Sequence, residues 1–385
     1  MPNSTRTRHS LAQALLTERI EAVQPTGQCV KRWVRFVRLI FTKRTVSCVC
    51  GGSFDFKKMA PNSVTVEERI EQKEPERPEF KAKIVWFNVL LFAYLHASFL
   101  YAIYLAFTAA SWKTCLFAYI YAHFGGLGIT AGVHRLWSHR SYKAKWPLRA
   151  LLCIFNSIAA QNDIFEWCRD HRVHHKFTET NADPHNIKRG FFFAHMGWLM
   201  CKKHPDVVAK GKTVYLDDLW ADPIVRFHRK FYIPMIIFFC FYLPTMIPVW
   251  CWEESAWNSF FIAALGRYCY SLNCTWFVNS VAHKFGDQPF DKYIEARENA
   301  LISFLVLGEG WHNYHHVFPW DYATSELGYT LNLTKVFIDF MAMIGQAYDL
   351  KSTHTEMIKS RKLKTGDGTR MKYVEENELE FCKQS

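Results

Sequence analysis

The stretch IVWFNVLLFAYLHASFLYAIYLA, residues 84–106, contains no Asp, Glu, Lys or Arg. A helix of this length is about 35 Å long, enough to cross a hydrocarbon core of about 30 Å. Three further apolar blocks follow at residues 114–133, 231–252 and 255–277. Helices buried in soluble proteins rarely stay so free of charge over such lengths, so the four blocks predict an all-α, polytopic membrane protein with four transmembrane helices.

The blocks are predicted to form two hairpins. Their outer connections, residues 107–113 and 253–254, are short and carry one lysine, whereas the connection 134–230 carries seventeen Lys and Arg residues. Positive residues are enriched in cytoplasmic loops, so this connection and both termini are expected in the cytosol. Arg267 interrupts the fourth block and should face protein, water or an interface, because a charge exposed to lipid is costly.

The remaining segments are polar. Residues 1–80 are expected to be a disordered cytosolic extension, with a basic amphipathic stretch at 31–44 that suits an anionic membrane surface. Residues 81–350 are predicted to form the membrane and catalytic domain, and residues 351–385 a polar cytosolic tail. The net charge is +12, and no nucleic-acid partner is expected. The twelve cysteines show no CxxC pair, which favours reduced thiols.

Eight of the seventeen histidines fall in three clusters, HRLWSH at 134–139, HRVHH at 171–175 and HNYHH at 312–316. Imidazole offers a neutral nitrogen to a borderline metal ion at neutral pH, so eight grouped imidazoles indicate more than one transition-metal ion. All three clusters lie outside the apolar blocks and on the same predicted face of the membrane. They can therefore converge in a cytosolic cap of helices.

The spacing within each cluster predicts its geometry. Positions i, i+3 and i+4 share a helix face, so one cluster is expected to aim His171, His174 and His175 at one site, and the 312–316 cluster to repeat this at a second. The five-residue step from His134 to His139 fits an α-helix poorly, so this pair should straddle a helix end.

Further candidates lie beside the clusters. His283 follows the fourth block directly, and Asn279, one helical turn earlier, is placed to reach a metal ion directly or through water. The nearby carboxylates Glu166, Asp170 and Glu309 are proposed to orient the imidazoles. HRVHH lacks the glutamate of the HExxH zinc-protease motif, and an all-nitrogen ligand set suits two iron ions better than structural zinc. Zinc and copper stay open on these residues alone.

Five strings carry a family resemblance: GITAGVHRLWSHRSYKAKWPLR (128–149), EWCRDHRVHHKFTETNADPHN (166–186), RGFFFAHMGWL (189–199), NSVAHKFG (279–286) and GEGWHNYHHVFPWDY (308–322). They resemble membrane-bound acyl-CoA desaturases of the stearoyl-CoA desaturase type, over about residues 81–368. The string KLKTGDGTR, residues 362–370, is similar to the insect branch of that family.

The resemblance implies a di-iron enzyme of the endoplasmic reticulum that uses oxygen to insert a cis double bond into a saturated fatty acyl-CoA, most commonly between carbons 9 and 10. In that family nine histidines and a water-bridged asparagine hold the irons. The matching positions are His134, His139, His171, His174, His175, His283, His312, His315, His316 and Asn279. Three other histidines are then expected to support the site or the fold: His185, His195 and His204.

The resemblance also implies substrate and electron-donor sites. Positions matching those that hold the coenzyme A group are Arg169, Asp170, Lys202 and Lys203. Ala118 and Ala122 share one face of the second apolar helix and are expected to leave room for the methyl end of the acyl chain, although small residues at this spacing also serve helix packing. The chain lacks a dinucleotide-binding fingerprint and an HPGG haem motif, so separate cytochrome b5 and its NADH-dependent reductase are the implied electron donors.

Three other functions stay open. A pheromone-type desaturase would place the double bond elsewhere, since that position depends on where the metals meet the chain. A fatty-acyl hydroxylase would share the histidine clusters and differ in its product. A membrane metal transporter would place histidines within the bilayer or along a permeation path, and the clusters here lie outside the apolar blocks.

Overall fold

The computed structural model describes residues 81–371, and these residues are mostly helical. The predicted extension 1–80, its amphipathic stretch 31–44 and residues 372–385 lie outside the described residues. The first half contains α1 Trp86–Thr108, α2 Trp112–Leu127, the π-helical segment π1 Gly128–Ser138, β1 Lys143–Ala144, α3 Trp146–Ala159, α4 Ile164–Phe177, the 3₁₀ turns Ile187–Arg189 and Gly197–Leu199, α5 Phe191–His195, α6 Pro205–Gly211 and α7 Asp217–Ala221. The second half contains α8 Pro223–Ile236, π2 Ile237–Tyr242, α9 Leu243–Trp252, α10 Ala256–Ser259, π3 Phe260–Gly266, α11 Arg267–Ser280, α12 Ala300–Leu305, α13 His312–Val317, α14 Leu333–Met343, β2 Ala347–Tyr348 and α15 Thr355–Thr365.

Within residues 81–371, three continuous helical runs are long and apolar enough to cross a membrane: Trp86–Thr108, Trp112–Ser138 and Pro223–Trp252. They correspond to the first three predicted blocks, although the first run begins at residue 86 instead of residue 84. The fourth block is also helical, running through α10, π3 and α11, but polar residues such as Asn258 and Arg267 make it less apolar. The predicted helical membrane architecture is confirmed, while the count of four spans stays a prediction.

Arg267 faces protein, as expected for a charge inside an apolar block. Its side chain is almost fully buried and donates hydrogen bonds to the carbonyls of Ala263, Ile158 and Cys240 at 2.9–3.0 Å. Those carbonyls belong to π3, α3 and π2. The guanidinium therefore links three helical segments, and its hydrogen bonds offset the cost of burying the charge.

Two glycines allow helices to approach closely. A Cβ added to Gly266 would lie 2.8 Å from the Cβ of Ala102, where π3 packs on α1. A Cβ added to Gly128 would lie 2.3 Å from the backbone of Phe155 and Asn156, where π1 begins against α3. A side chain at Gly128 would displace the segment that carries His134, so this contact helps to position the first histidine cluster.

The core of the cap lies between π1, α3, α4 and α14. Val133, Leu148, Leu152, Ile164 and Ile338 form its centre and are almost completely buried. The Asp163 side chain accepts hydrogen bonds from two backbone N–H groups in the first turn of α4. This N-terminal helix cap fixes where α4 begins, so the HRVHH sequence lies in the last turns of α4.

Two further features of the described residues bear on the expectations. The eight cysteines among residues 81–371 are free thiols, in agreement with the reduced state expected from their scatter. The strands β1 and β2 pair antiparallel, with Lys143 opposite Tyr348 and Ala144 opposite Ala347. This pairing attaches the chain after α14 to the chain between π1 and α3, and α15 then follows in the predicted tail.

Candidate metal centre

The first cluster lies at the end of π1. The backbone N–H of His139 donates to the carbonyl of His134 at 3.1 Å, which is the i→i+5 bond of a π-helix, and the two ring centroids lie 4.9 Å apart. The wider turn brings residues five apart to the same side. His139 directly follows π1, so the pair straddles a helix end as predicted.

Nine imidazoles converge in two groups. In each group, one ring nitrogen from every member lies within 4.8 Å of the others. The five-histidine site contains His134, His139, His171, His175 and His315, and the four-histidine site contains His174, His283, His312 and His316. Facing Nε2 atoms within the sites lie 2.8–3.3 Å apart, from His139–His171 at 2.8 Å to His174–His316 at 3.3 Å.

The expectation that each HxxHH cluster serves one site is wrong. His171 and His175 join the five-histidine site, while His174 joins the four-histidine site. In α13 the assignment is reversed, with His312 and His316 at the four-histidine site and His315 at the other. Residues four apart are about 40° apart around a helix, whereas adjacent residues diverge by about 100°, so each helix divides its imidazoles between the two sites.

Burial favours the neutral form of seven of these imidazoles. Seven of them have a pKa lowered well below the usual value, mainly because burial disfavours the charged ring and secondly because of nearby positive groups. The seven are His139, His171, His175, His283, His312, His315 and His316. Neutral imidazole is the form that binds a metal ion, so the state of these rings suits ligation.

Two buried carboxylates orient the rings. His174 Nδ1 lies 2.9 Å from Asp183 Oδ1, and His134 Nδ1 lies 3.0 Å from Glu309 Oε2. Asp183 accepts the Nδ1–H of His174, which fixes the tautomer and leaves the Nε2 lone pair pointing into the site, as is usual for histidines that bind metal. Glu309 provides a negative charge beside the ring of His134. Both convergent nitrogen sets therefore fit a divalent transition-metal ion.

Both carboxylates are held in the charged form. Burial alone would raise the pKa of Glu309, but the Arg135 guanidinium and His134 outweigh it, so the pKa lies below its usual value. Arg135 Nε donates to Glu309 at 2.9 Å from a completely buried position. The pKa of Asp183 is also lowered, because His174 and backbone N–H donors outweigh its burial.

The other proposed orienting carboxylates lie elsewhere. Glu309 contacts a histidine as proposed, whereas Asp170 and Glu166 form ion pairs with Arg169 at 3.0 and 3.5 Å. Sequence reasoning did not single out Asp183. The available signal was the string NADPHN, in which an acidic residue stands two positions before His185, outside the three clusters.

The remaining predicted histidines lie outside the two sites. His185 packs on His174 with ring centroids 4.3 Å apart, and its Nδ1 lies 3.7 Å from Asp183, so these three residues form a further group of close ligand atoms. The ring of His195 lies 3.0 Å from the Ser280 hydroxyl. His204 accepts a hydrogen bond from the backbone N–H at the start of α6.

Asn279 borders the centre without joining either group of histidines. Its half-buried side chain lines a cavity of about 50 Å³ together with His134, His171, His174 and His312. This cavity touches imidazoles of both sites. Asn279 also lines a larger cavity of about 280 Å³, which extends past His171 to Asp170.

Arg169 and Lys203 share one carboxylate at the mouth of the larger cavity. Arg169 donates to one oxygen of Asp170 at 3.0 Å, and the Lys203 ammonium contacts the other oxygen. Lys202 is exposed, and its backbone N–H donates to the carbonyl of Lys83 at 2.8 Å. Three of the four predicted coenzyme A contacts therefore form one ion-pair cluster, and Lys202 is adjacent in sequence.

Smaller cavities continue from the histidines toward the apolar helices. Thr275 lines the first two cavities and also a third, of about 40 Å³. The third shares Ala122 and Tyr270 with a fourth cavity, of about 250 Å³, which Ala118 also lines. Ala118 and Ala122 are buried, and neighbouring cavities in this row share lining residues from the vicinity of the histidines to both alanines.

A separate cleft approaches the histidines from another direction. It has a volume of about 510 Å³ and is lined by His175 of the five-histidine site and His316 of the four-histidine site. Their rings stack with centroids 4.4 Å apart. Arg361 and Lys364 of α15 also line this cleft, together with the partly exposed Trp320.

Comparison with known proteins identifies the family. The model of the fatty acid desaturase family matches residues 110–331. An acyl-CoA Delta-9 desaturase from Acheta domesticus is 56% identical over 300 residues, covering 78% of this chain and 83% of that protein. An acyl-CoA Delta12-desaturase from the same species is 52% identical over 327 residues, covering 81% and 91%, and an acyl-CoA Delta(11) desaturase from Trichoplusia ni is 53% identical over 296 residues, covering 77% and 84%. The family resemblance noted from the sequence is thereby confirmed, and the chain belongs to the fatty acid desaturase family, among its acyl-CoA desaturases.

Proposed function

We propose that this desaturase inserts a cis double bond between carbons 9 and 10 of a saturated fatty acyl-CoA in unsaturated fatty acid biosynthesis. The observation that carries the proposal is the row of cavities, which runs from the charged cluster at Asp170 past both histidine sites to Ala118 and Ala122. An acyl chain along this row would pass both sites. The 9,10 position agrees with the name of the Acheta Delta-9 relative, and relatives named for positions 11 and 12 make it the point that most needs testing.

Two iron ions are proposed as cofactors, one at each histidine site, with Asn279 as a direct or water-mediated ligand. Iron with oxygen would supply the strong one-electron oxidant that an unactivated methylene C–H bond requires. The protein contributes nine imidazoles and two buried carboxylates, which lie beside the rings of His134 and His174. Burial of these rings also keeps bulk water away from the reacting carbons.

The coenzyme A group is proposed to bind at the cationic cluster of Arg169 and Lys203, with Lys202 beside it. Phosphates are recognised by such cations, and Asp170 already holds two of the side chains in place. Ala118 and Ala122 would receive the methyl end of the acyl chain, because their small side chains leave the fourth cavity open. This division places the polar and apolar halves of the substrate in matching surroundings.

Electrons are proposed to come from cytochrome b5 and its NADH-dependent reductase. The cleft at His175 and His316 supports this, because it reaches one imidazole from each site and is lined by Lys364 and by Arg361, which pairs with Asp291. A basic rim suits an acidic electron carrier. The seventeen Lys and Arg residues of segment 134–230 support a cytosolic position for the centre and both termini, in the membrane of the endoplasmic reticulum.

The deciding experiment expresses the full chain or its His174→Ala variant in desaturase-deficient yeast. Fatty acids are analysed by gas chromatography with mass spectrometry, after derivatisation that locates double bonds. We expect new cis-9 alkenes with the wild type and none with the variant.

Other products would redirect the proposal. Double bonds at other carbons would contradict the 9,10 position and favour a pheromone-type role. Hydroxylated fatty acids would favour a hydroxylase. If well-expressed protein with its electron donors gave no product and took up metal into vesicles, the desaturase proposal would be wrong.

A further inference from the structure

The segment 361–370, here called the C-terminal strap, contacts the loop 284–298 and Glu326. Thr365 Oγ1 donates to the carbonyl of Phe290 at 2.6 Å, and the backbone N–H of Gln288 donates to Asp367 at 2.6 Å. The buried ammonium of Lys362 lies 2.7 Å from Glu326. A Cβ on Gly366 would meet the carbonyl oxygen of Pro289 at 2.3 Å, so the strap and the loop 284–298 are in direct backbone contact.

The loop 284–298 connects elements of the four-histidine site. Next to His283, the carbonyl of Ala282 accepts from the backbone N–H of Arg297 at 2.7 Å, and the carbonyl of Arg297 accepts from the backbone N–H of His312 at 3.3 Å. The Asn313 side chain also accepts from two backbone N–H groups of the loop. Three of the four histidines, His283, His312 and His316, therefore lie on elements that this loop holds.

Glu298 joins the strap to α13. Its side chain is almost completely buried, and Oε1 accepts from the backbone N–H of Tyr314 at 2.8 Å in the first turn of α13. Trp311, which precedes the helix, provides no side-chain cap, so Glu298 takes that role from elsewhere in the chain. Oε2 accepts from Arg370 at 3.0 Å, and the Arg370 guanidinium lies 4.9 Å above the Trp311 ring.

We propose that the C-terminal strap positions the four-histidine site, with Arg370 as the positioning residue that acts through Glu298. The inference rests on the proposed metal-dependent function. Arg370 balances the charge of the buried carboxylate and packs on the residue before α13. Without it, Glu298 has no other cation within hydrogen-bonding distance among the described residues, and the first turn of α13 loses its fixed acceptor. To the five-histidine site α13 supplies only His315, and the other four imidazoles lie at the end of π1 and on α4, so the strap should affect that site less.

The test measures loss of iron to a chelator from the purified, iron-loaded full chain. Arg370→Gln is made in two backgrounds, His175→Ala, which leaves the four-histidine site intact, and His174→Ala, which leaves the five-histidine site intact. We expect Arg370→Gln to release the remaining ion roughly tenfold faster in the first background, a size typical of residues that support metal ligands. In the second background the acceleration should be clearly smaller, because α13 supplies only His315 to the five-histidine site. Arg370→Lys, which keeps the charge, should restore most of the retention. Lys292→Gln removes an exposed charge from the loop 284–298, which the strap contacts, and should change neither rate.

A second variant keeps the test decisive if Arg370→Gln does not fold. Glu298→Gln retains an acceptor for Tyr314 but loses the ion pair, and it should accelerate iron release more from the four-histidine site than from the five-histidine site. In the His175→Ala background, combining Glu298→Gln with Arg370→Gln should add little to either change alone, because both remove one interaction. Equal acceleration in both histidine backgrounds, or none in either, would overturn the strap proposal. If the strap proposal fails in this way while the wild type retains iron and forms alkenes, the proposed function still holds. If the wild type binds no iron, the proposed function itself is wrong.

Discussion

The two histidine sites are built from the same two helices but are completed differently. Each site receives two imidazoles, four residues apart, from one helix and a single imidazole from the other helix. The five-histidine site adds His134 and His139 from the end of π1, with Arg135 and Glu309 buried behind them. The four-histidine site adds only His283, and Asn279 borders the adjacent cavity. One site therefore offers five imidazoles, while the other offers four and leaves room for a weaker ligand or water.

The largest effect is expected from two adjacent residues. His174→Ala should remove the ion of the four-histidine site and His175→Ala that of the five-histidine site, because the two side chains diverge around α4. Both changes should abolish alkene formation. Metal analysis combined with a spectroscopic signature for each ion would check which one is lost.

His354→Ala is the matched control, since this exposed histidine precedes α15 and provides no side-chain cap. It should retain both ions and full activity. If His174→Ala and His175→Ala lost the same ion, the division of each cluster between two sites would be wrong.

A smaller effect is expected from the carboxylates behind the rings. Asp183→Asn should weaken metal binding at the four-histidine site by about 10–100-fold, and Glu309→Gln should do so at the five-histidine site. Glu309→Gln also leaves the buried Arg135 without its counter-charge, so it should lower the melting temperature as well. Metal titration of the purified protein measures the first effect and thermal unfolding the second.

Asp339→Asn provides the comparison for both changes, because it removes a carboxylate that pairs with Lys335, away from the histidines. It should leave both metal affinities unchanged. Equal weakening of both sites by Asp183→Asn would contradict the assignment of this carboxylate to one ring.

The sequence predicted the nine convergent histidines but not their partition. Composition and periodicity identify helices and the residues on one face, and these features placed His171, His174 and His175 together. Which of two neighbouring sites a side chain joins depends on how α4 and α13 pack against each other, and that packing is a tertiary property. The π-helical end of π1 was likewise visible only as an awkward spacing of His134 and His139.

Long-range polar partners were harder to predict than the ligands. Glu309 stands close to a cluster in sequence and was proposed, whereas Asp183 is separated from His174 by a turn and was missed. The ion pair between Arg370 and Glu298 joins residues 72 positions apart, and no local pattern indicates it. Such contacts follow from which loops meet, and the spacing of single residues does not encode them.

Substitution of Asn279 tests whether the four-histidine site uses a further ligand. Asn279→Ala should weaken metal binding there by about tenfold and leave the five-histidine site unchanged, because a water-mediated ligand contributes less than an imidazole. Asn273→Ala is a suitable comparison on the same helix, since Asn273 contacts His195 and His96. Titration of each single-site variant with iron gives both affinities. An equal loss at both sites would mean that Asn279 supports the whole centre.

Ala122→Trp should leave both metal sites intact and change the product. The indole would fill the fourth cavity, where Ala122 is buried beside Ala118, so the variant should prefer acyl chains several carbons shorter. One methylene in an apolar pocket changes selectivity by about tenfold or more, which is enough to see in the product profile.

Ile120→Trp alters the exposed side of the same helix and should change nothing. Metal content should equal that of the wild type in both variants, since neither residue contacts a histidine site. An unchanged chain-length profile in purified Ala122→Trp enzyme would show that the methyl end lies elsewhere, and that the two alanines serve helix packing.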